Sequence, residues 1–391
     1  MAVPDTSSDI RPVKFPIENT EQIRDWSRLF QKMQREPAKR GPPAPVLLEP
    51  LRKDERVMST VVSSRDELKQ QIQHLLAEDL LAVNALLERQ FRNPNMFVQD
   101  VAQHVGRFQG KRIRPILTLL SARLYSTSQS ARENAYRLAA VVEMIHSATL
   151  VHDDVIDDAD LRRHVSTVHR RWNTETSVLF GDYLFSKAFH LAATTGDVEA
   201  CRLIGRATDR TCEGELNQIA ARLEQSTSES DYFRVISGKT GQLFSVSCLL
   251  GARAAGSTVS DQSRLKIFGN RIGLAFQIAD DVLDLTESPE STGKDAANDL
   301  SNHRMTLPLL RALKLASATD RKRLREMLFS SEAADHQRLR EEPLVRQGIE
   351  SAQASAELLI ARAIRCLHPL PHCPAHHALE AIAKFAIHRS T

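Results

Sequence analysis

No apolar run in this chain reaches eighteen residues, which excludes a helix that crosses a bilayer. Neither sign of charge dominates: the net charge is +3, and so even a balance argues against a nucleic-acid partner. Cysteine is scarce; Cys201, Cys212, Cys248, Cys366 and Cys373 form an odd set without regular spacing, and no signal peptide precedes them. That usage points to a reducing compartment, with the cytoplasm as the default. Strand-like alternation is nowhere sustained and no short period repeats, so neither an extended sheet nor a solenoid is expected. Aromatic residues are only 5%, yet 42% hydrophobic content over 391 residues is enough to bury a large core.

What is present begins with an arm. Residues 1–60 carry half the prolines, among them Pro37, Pro42, Pro43, Pro45 and Pro50, in a charged setting that reads as mostly disordered, with a short helix near 20–34. Asp5, Asp9, Glu18 and Glu21 count against an organelle transit peptide, which avoids acids. From there the sequence is helix after helix. Ser64 and Glu67 make a capping box for a helix carrying Leu68, Ile72, Leu76, Leu80 and Leu87. The expected architecture is one all-α domain over 61–391.

The chain is organised around HSATLVHDDVIDDADLRR, residues 146–163. Leu138, Val141, Val142, Ile145 and Thr149 recur at helical spacing ahead of it, so Asp153, Asp154, Asp157, Asp158 and Asp160 fall at a helix end. If that helix runs on through 157, Asp153 and Asp157 share one face, with His146 two turns back on nearly the same line. Carboxylates so placed repel, and a bound cation relieves them; oxygen ligands without thiolate or imidazole favour magnesium. A solvated acidic helix end is the plainer reading of this stretch alone, and an EF-hand loop fails for want of its glycine and closing glutamate. The recurrence of the pattern as Asp280, Asp281 and Asp284 in FQIADDVLD decides between them.

The second copy lies on a helix with two stripes. Phe268, Ile272, Ala275, Ala279 and Val282 form the apolar one, while Gly273, Gln277, Asp280, Asp281 and Asp284 lie about 165° away. Gly273 leaves room for a close approach. Basic residues accompany the acidic ones: Lys111, Arg112 and Arg114 in GKRIRP suit a diphosphate through charge-assisted bonds. Lys239 and Thr240 sit between Gly238 and Gly241, where two glycines in a helical pattern suggest a kink.

Taken together, GKRIRP, EMIHSATLVHDDVIDDADLRR, GDYLFSKAF, CEGELNQ, KTGQLF, FQIADDVLD and GKDAANDL with TLP resemble the trans-isoprenyl diphosphate synthase (polyprenyl synthetase) family, over residues 65–391 and in the family's order. The long-chain members are the most similar. The resemblance implies an isoprenoid synthase-type helical bundle around a central cavity, usually a homodimer, that joins isopentenyl diphosphate to an allylic prenyl diphosphate. It implies magnesium on Asp153, Asp157, Asp280, Asp281 and Asp284, with Asp154 beside them, and Arg162, Lys239 and Lys294 around the same diphosphate. It assigns the second diphosphate to Lys111, Arg114, His146 and Arg163, and turns the oxygens of Thr240 and Gln277 toward the developing cation. A long-chain product, suited to a quinone side chain, follows from Ala148, where short-chain members carry a bulky aromatic. Thr149 borders the tail's path by geometry, one turn below Asp153, with Ile145 on the next turn.

Departures from the family pattern are His164 after the arginine pair and His303 with Arg304 before TLP, where glycine and Gly-Lys are usual; the histidines cost backbone freedom. Cys366, His368, His372, Cys373, His376 and His377 have no family counterpart and read as a connecting loop rather than a zinc site. Two other classes of function compete. A non-catalytic or regulatory subunit of a heteromeric synthase is disfavoured by intact aspartate motifs, and a class I terpene cyclase by the GKRIRP segment, since a cyclase has no second diphosphate to hold.

Overall fold

The computed structural model of the protein describes residues 65–108, 110–125, 128–224, 227–286, 304–330 and 332–387. The arm, the Ser64 cap, Lys294 and His303 lie outside the described residues. Helices account for nearly all of them, and the one described sheet is a two-stranded ribbon.

The helices that frame the site are α1 (Arg65–Phe91), α2 (Met96–Gly106), α3 (Ile113–Arg123) and α4 (Gln129–Ile156). A short β1 (Leu161–Arg162) and β2 (Val165–Ser166) follow, then α5 (Val168–Arg171), α6 (Thr174–Ala193), α7 (Val198–Glu224) and α8 (Glu229–Ile236). A π-helical turn at Ser237–Gly241 leads into α9 (Gln242–Ala254), and α10 (Val259–Thr286) carries the second acidic motif. The remainder is α11 (Leu307–Leu315), α12 (Ala318–Leu328), α13 (Ala333–Glu341), α14 (Pro343–Leu367) and α15 (Pro374–Phe385).

Local chemistry sets where these helices start. Asn95 caps α2 by accepting from the Phe97 and Val98 amides, Ser128 caps α4 through the Ala131 amide, and Ser228 with Asp231 completes a capping box on α8. Proline opens α11, α14 and α15, where the missing N–H costs nothing.

The main core draws on α1, α3, α4, α9, α10, α14 and α15. Leu138, Val141, Met144 and Ile145 of α4 meet Leu117 and Leu120 of α3, Phe244 and Leu250 of α9, and Phe268 and Ile272 of α10. Phe244 and Phe268 are wholly buried; each stabilises the fold by about 2–3 kcal/mol. A smaller cluster gathers Val101 and Val105 of α2, Ala148 and Val151 of α4, and Phe180 and Leu184 of α6. The helix α4 is therefore gripped on two sides, and its C-terminal turn is delivered to a fixed place. The segment 368–373 joins α14 to α15, with Cys366 at the end of one helix and His376 and His377 in the next.

Candidate active site

The aspartates sit where the periodicity places them, with one refinement. The helix α4 ends at Ile156, but Asp157 keeps right-handed backbone and donates its amide to the Asp153 carbonyl at 2.8 Å, so the turn joining the two carboxylates is helical. Asp158, at φ 51, ends it.

The second aspartate of each motif turns inward. Successive helical residues point about 100° apart, so the second residue cannot share the face of the first and fifth. Asp154 is 1% exposed and receives Arg162 Nε and Nη2 in a forked contact at 2.6–3.0 Å. Asp281 is 3% exposed; it accepts from Tyr232 Oη at 2.5 Å on one oxygen and from Gln277 Nε2 at 2.9 Å on the other. The outer carboxylates face the protein's own cations. Asp153 lies 3.7 Å from Lys239 Nζ, and Asp157 is paired with Arg304. The guanidinium of Arg340 donates to the Asp284 backbone carbonyl at 3.1 Å.

One backbone feature joins the two motifs. Lys239 and Thr240 are adjacent in the π-helical turn: Lys239 reaches Asp153, while Thr240 donates to Gln277 Oε1 at 2.8 Å and through it meets Asp281. The turn is possible because glycines let three helices come together. A Cβ on Gly214 of α7 would stand 2.5 Å from the Lys239 nitrogen, and one on Gly273 of α10 would stand 2.9 Å from Gly241 Cα. What passes close to Gly273 is thus the π turn itself. Lys239 is further held by Glu215 at 2.8 Å and Gln218 at 3.2 Å, both from the CEGELNQ segment, whose roles sequence reasoning left unassigned.

Electrostatics follow burial. Burial raises the Asp153 carboxyl above its ordinary range, and Asp157 adds to that rise, outweighing Lys239, Arg162 and Arg304. Glu215 is raised for the same reason, burial first and Asp153 second. His146 is held well below its usual value by burial and then by Arg114, Arg162 and Arg163, so the imidazole is neutral near pH 7. Glu143, one turn before it, is raised by burial and drawn back by Arg114, Arg112 and Arg163.

The basic segments come together at strained backbone. Arg112 (φ 47), Asp158 (φ 51), Arg163 (φ 52) and His164 (φ 63) are the non-glycine residues with positive φ among those described, one in GKRIRP and three in the short stretch 158–164. Arg163 and His164 form the two-residue turn of the ribbon, a geometry that favours glycine or asparagine. Arg114 stacks over Phe244 at 4.8 Å, and Lys111 is exposed just ahead of α3. Among the residues expected to measure the product, Ala148 lies in the α2–α4–α6 cluster, Ile145 in the main core, and Thr149 is half-buried with its hydroxyl on the His146 carbonyl.

The donor set offers oxygen only, which suits a hard divalent cation. Among the described residues no three carboxylate, imidazole or thiol groups gather into a ready-made cage.

A family model described as polyprenyl synthetase matches residues 95–342. The chain belongs to the polyprenyl synthetase family. It is a prenyltransferase, and its all-α bundle is the family's isoprenoid synthase fold. Among similar proteins, the all-trans-nonaprenyl-diphosphate synthase of Rhodobacter capsulatus is 32% identical over 83% of this chain and 98% of its own. Component 2 of the heptaprenyl diphosphate synthase of Geobacillus stearothermophilus is 40% identical over 61% of this chain and 73% of its own. A polyprenyl synthase from Caulobacter crescentus, solved with calcium and isoprenyl diphosphate, superposes with a TM-score of 0.77 at 33% identity, covering 82% of this chain and 98% of that one. The polyprenyl synthetase match spans the GKRIRP segment, both acidic motifs and the π turn between them.

Proposed function

We propose that this prenyltransferase condenses isopentenyl diphosphate with an allylic diphosphate, repeatedly, to give a long-chain all-trans polyprenyl diphosphate suited to a quinone side chain. It works as a homodimer in the cytoplasm, and the catalytic domain begins near residue 61. The observation that carries this reading is the bridge at the π turn, where Lys239 faces Asp153 of the first acidic motif and adjacent Thr240 is linked through Gln277 to Asp281 of the second. The names of the relatives support the long chain.

In each cycle the allylic C–O bond breaks and its electron pair leaves with the diphosphate. The double bond of isopentenyl diphosphate then attacks the allylic carbon, and loss of a proton restores a double bond. Magnesium, when bound by Asp153, Asp157, Asp280 and Asp284 together with the diphosphate, supplies Lewis-acid neutralisation of the leaving group. Asp281, whose oxygens accept from Tyr232 and Gln277, would join that set once either of them is released. Lys239, Arg304, Arg162 and Lys294 add fixed charge around the leaving diphosphate, the first three being held beforehand by Asp153, Asp157 and Asp154. Lys111, Arg114 and Arg163 hold the second diphosphate, with neutral His146 contributing a hydrogen bond rather than a charge. The Thr240 hydroxyl donates a hydrogen bond to Gln277 Oε1, so the lone pairs of the Thr240 oxygen stay available to the developing cation. Ala148, Thr149 and Ile145 border the path of the growing tail.

Calorimetry with magnesium alone and with magnesium plus inorganic diphosphate tests the shared site. Ion uptake that depends on diphosphate, and that Asp153→Asn weakens, is expected; tight magnesium binding indifferent to both refutes it. The similarity to a component of a two-part synthase favours one rival, a heteromer, which predicts no turnover by the purified chain until a second polypeptide is added.

A further inference from the structure

His104 lies outside every motif, yet it is 3% exposed and bonded on both ring nitrogens. Its Nε2 is 2.7 Å from the Ser166 carbonyl on β2, and Arg171 donates to its Nδ1 at 3.3 Å. The arginine fixes Nδ1 as the acceptor, so Nε2 carries the proton and gives it to Ser166. Phe108 and Trp172 pack edge-on against the ring at 5.3 and 5.2 Å. Burial, Arg171 and Arg107 lower its pKa against the bond to Ser166, which keeps the ring neutral.

The ribbon that His104 grips is the one that presents Arg162 and Arg163. It has two residue pairs and a turn at unfavourable φ, and such a ribbon has little stability of its own. Its two arginines are anchored differently. Arg162 is forked onto Asp154 of α4. Arg163 instead reaches the Phe108 carbonyl at 2.5 Å and lies over Gly110, where a Cβ would come within 2.6 Å of its guanidinium. Phe108 and Gly110 lead directly into Lys111 and Arg114. His104, in the last turn of α2, and Arg163, through the Phe108 carbonyl on the connection from α2 to α3, thus fasten the ribbon at two points.

We propose that His104 is a positioning residue for the isopentenyl diphosphate subsite: through the Ser166 carbonyl it sets the spacing of Arg163 from Lys111 and Arg114. The inference rests on the proposed function and deepens it by separating the anchoring of the two substrates. Because Arg162 keeps Asp154, losing His104 slackens the isopentenyl side and spares the allylic side.

The test is steady-state kinetics on the full chain with each substrate varied in turn, for wild type, His104→Leu, which keeps volume and removes the donor, and His104→Gln, which restores a donor near Nε2. The expected result is a KM for isopentenyl diphosphate about fivefold to tenfold higher in His104→Leu, the loss of one hydrogen bond's worth of positioning. The allylic KM and kcat stay within about twofold of wild type, and His104→Gln recovers most of the difference. If His104→Leu does not fold, His104→Asn, whose donor falls short of the carbonyl, reads the same split. Equal change in both KM values, a fall in kcat and thermal stability alone, or no rescue by glutamine overturns the proposal and leaves His104 a core residue. Wild-type protein that does not turn over isopentenyl diphosphate overturns the proposed function and the clamp with it, so the two failures are told apart by the wild-type control.

Discussion

Replacing Asp153 by asparagine keeps the shape of the side chain and removes a charge that burial and Asp157 already oppose. Lys239 gives up a 3.7 Å contact but retains Glu215 at 2.8 Å and Gln218 at 3.2 Å, so no cation is stranded. Relief of one buried, repelled carboxylate stabilises the ligand-free protein at neutral pH by about 1 kcal/mol. For a domain of this size that is a rise in Tm of about 2 °C. The sign follows from linkage: a folded-state pKa raised above the unfolded value means that the folded protein holds the proton longer. The penalty in the wild type is therefore absent below the unfolded value, near pH 4, and grows as pH rises through the folded one. The advantage of Asp153→Asn fades on acidification. With substrates and magnesium the same variant loses transition-state charge neutralisation, and turnover falls by about a hundredfold to a thousandfold. Thermal denaturation at pH 7.5 and pH 4.5, beside steady-state kinetics, reads both effects. A variant less stable than wild type at neutral pH refutes the electrostatic reasoning, and near-normal turnover refutes the assignment of Asp153.

Asp281→Ala behaves oppositely in stability, because it removes the carboxylate that accepts from the buried Tyr232 hydroxyl and from the Gln277 amide; a loss of about 1–3 kcal/mol by chemical denaturation is expected, and an unchanged midpoint refutes it. Gly214→Ala drives a Cβ into the Lys239 backbone, costing about 1–3 kcal/mol and displacing the π turn, so kcat falls together with stability; wild-type kinetics show that the close approach is unimportant. His164→Gly relieves a left-handed residue in the ribbon turn and raises stability by about 0.5–1 kcal/mol, while a lower Tm contradicts the strain argument.

Most of the helical framework was legible because it is a matter of period. The stripe of Phe268, Ile272, Ala275 and Val282 is buried along α10, and Asp153 and Asp157 share a helical turn. Turn chemistry was legible too, since His164 stands at φ 63 where the family's glycine is missing. Contacts between distant segments were not. Tyr232 to Asp281, Lys239 to Glu215 and Arg304 to Asp157 join residues 49, 24 and 147 apart in the chain, and no periodicity relates them. The burial of Asp154 and Asp281 lay in between: a helical wheel separates the second aspartate from the first and fifth, but only packing shows what it meets. His104 carried no signal, because a single histidine on an apolar helix face resembles any core histidine.

Incubating the purified chain alone with isopentenyl diphosphate, magnesium and geranyl, farnesyl or geranylgeranyl diphosphate, then separating the products by chain length, tests the central claim most directly. Wild-type protein is expected to make an all-trans diphosphate well beyond the geranylgeranyl stage. Ala148→Tyr, which forces an aromatic into the α2–α4–α6 cluster beside the acidic turn, is expected to shorten that product sharply without abolishing turnover. A wild-type product that stops at farnesyl or geranylgeranyl diphosphate, or activity that appears only after a different polypeptide is added, would contradict the account.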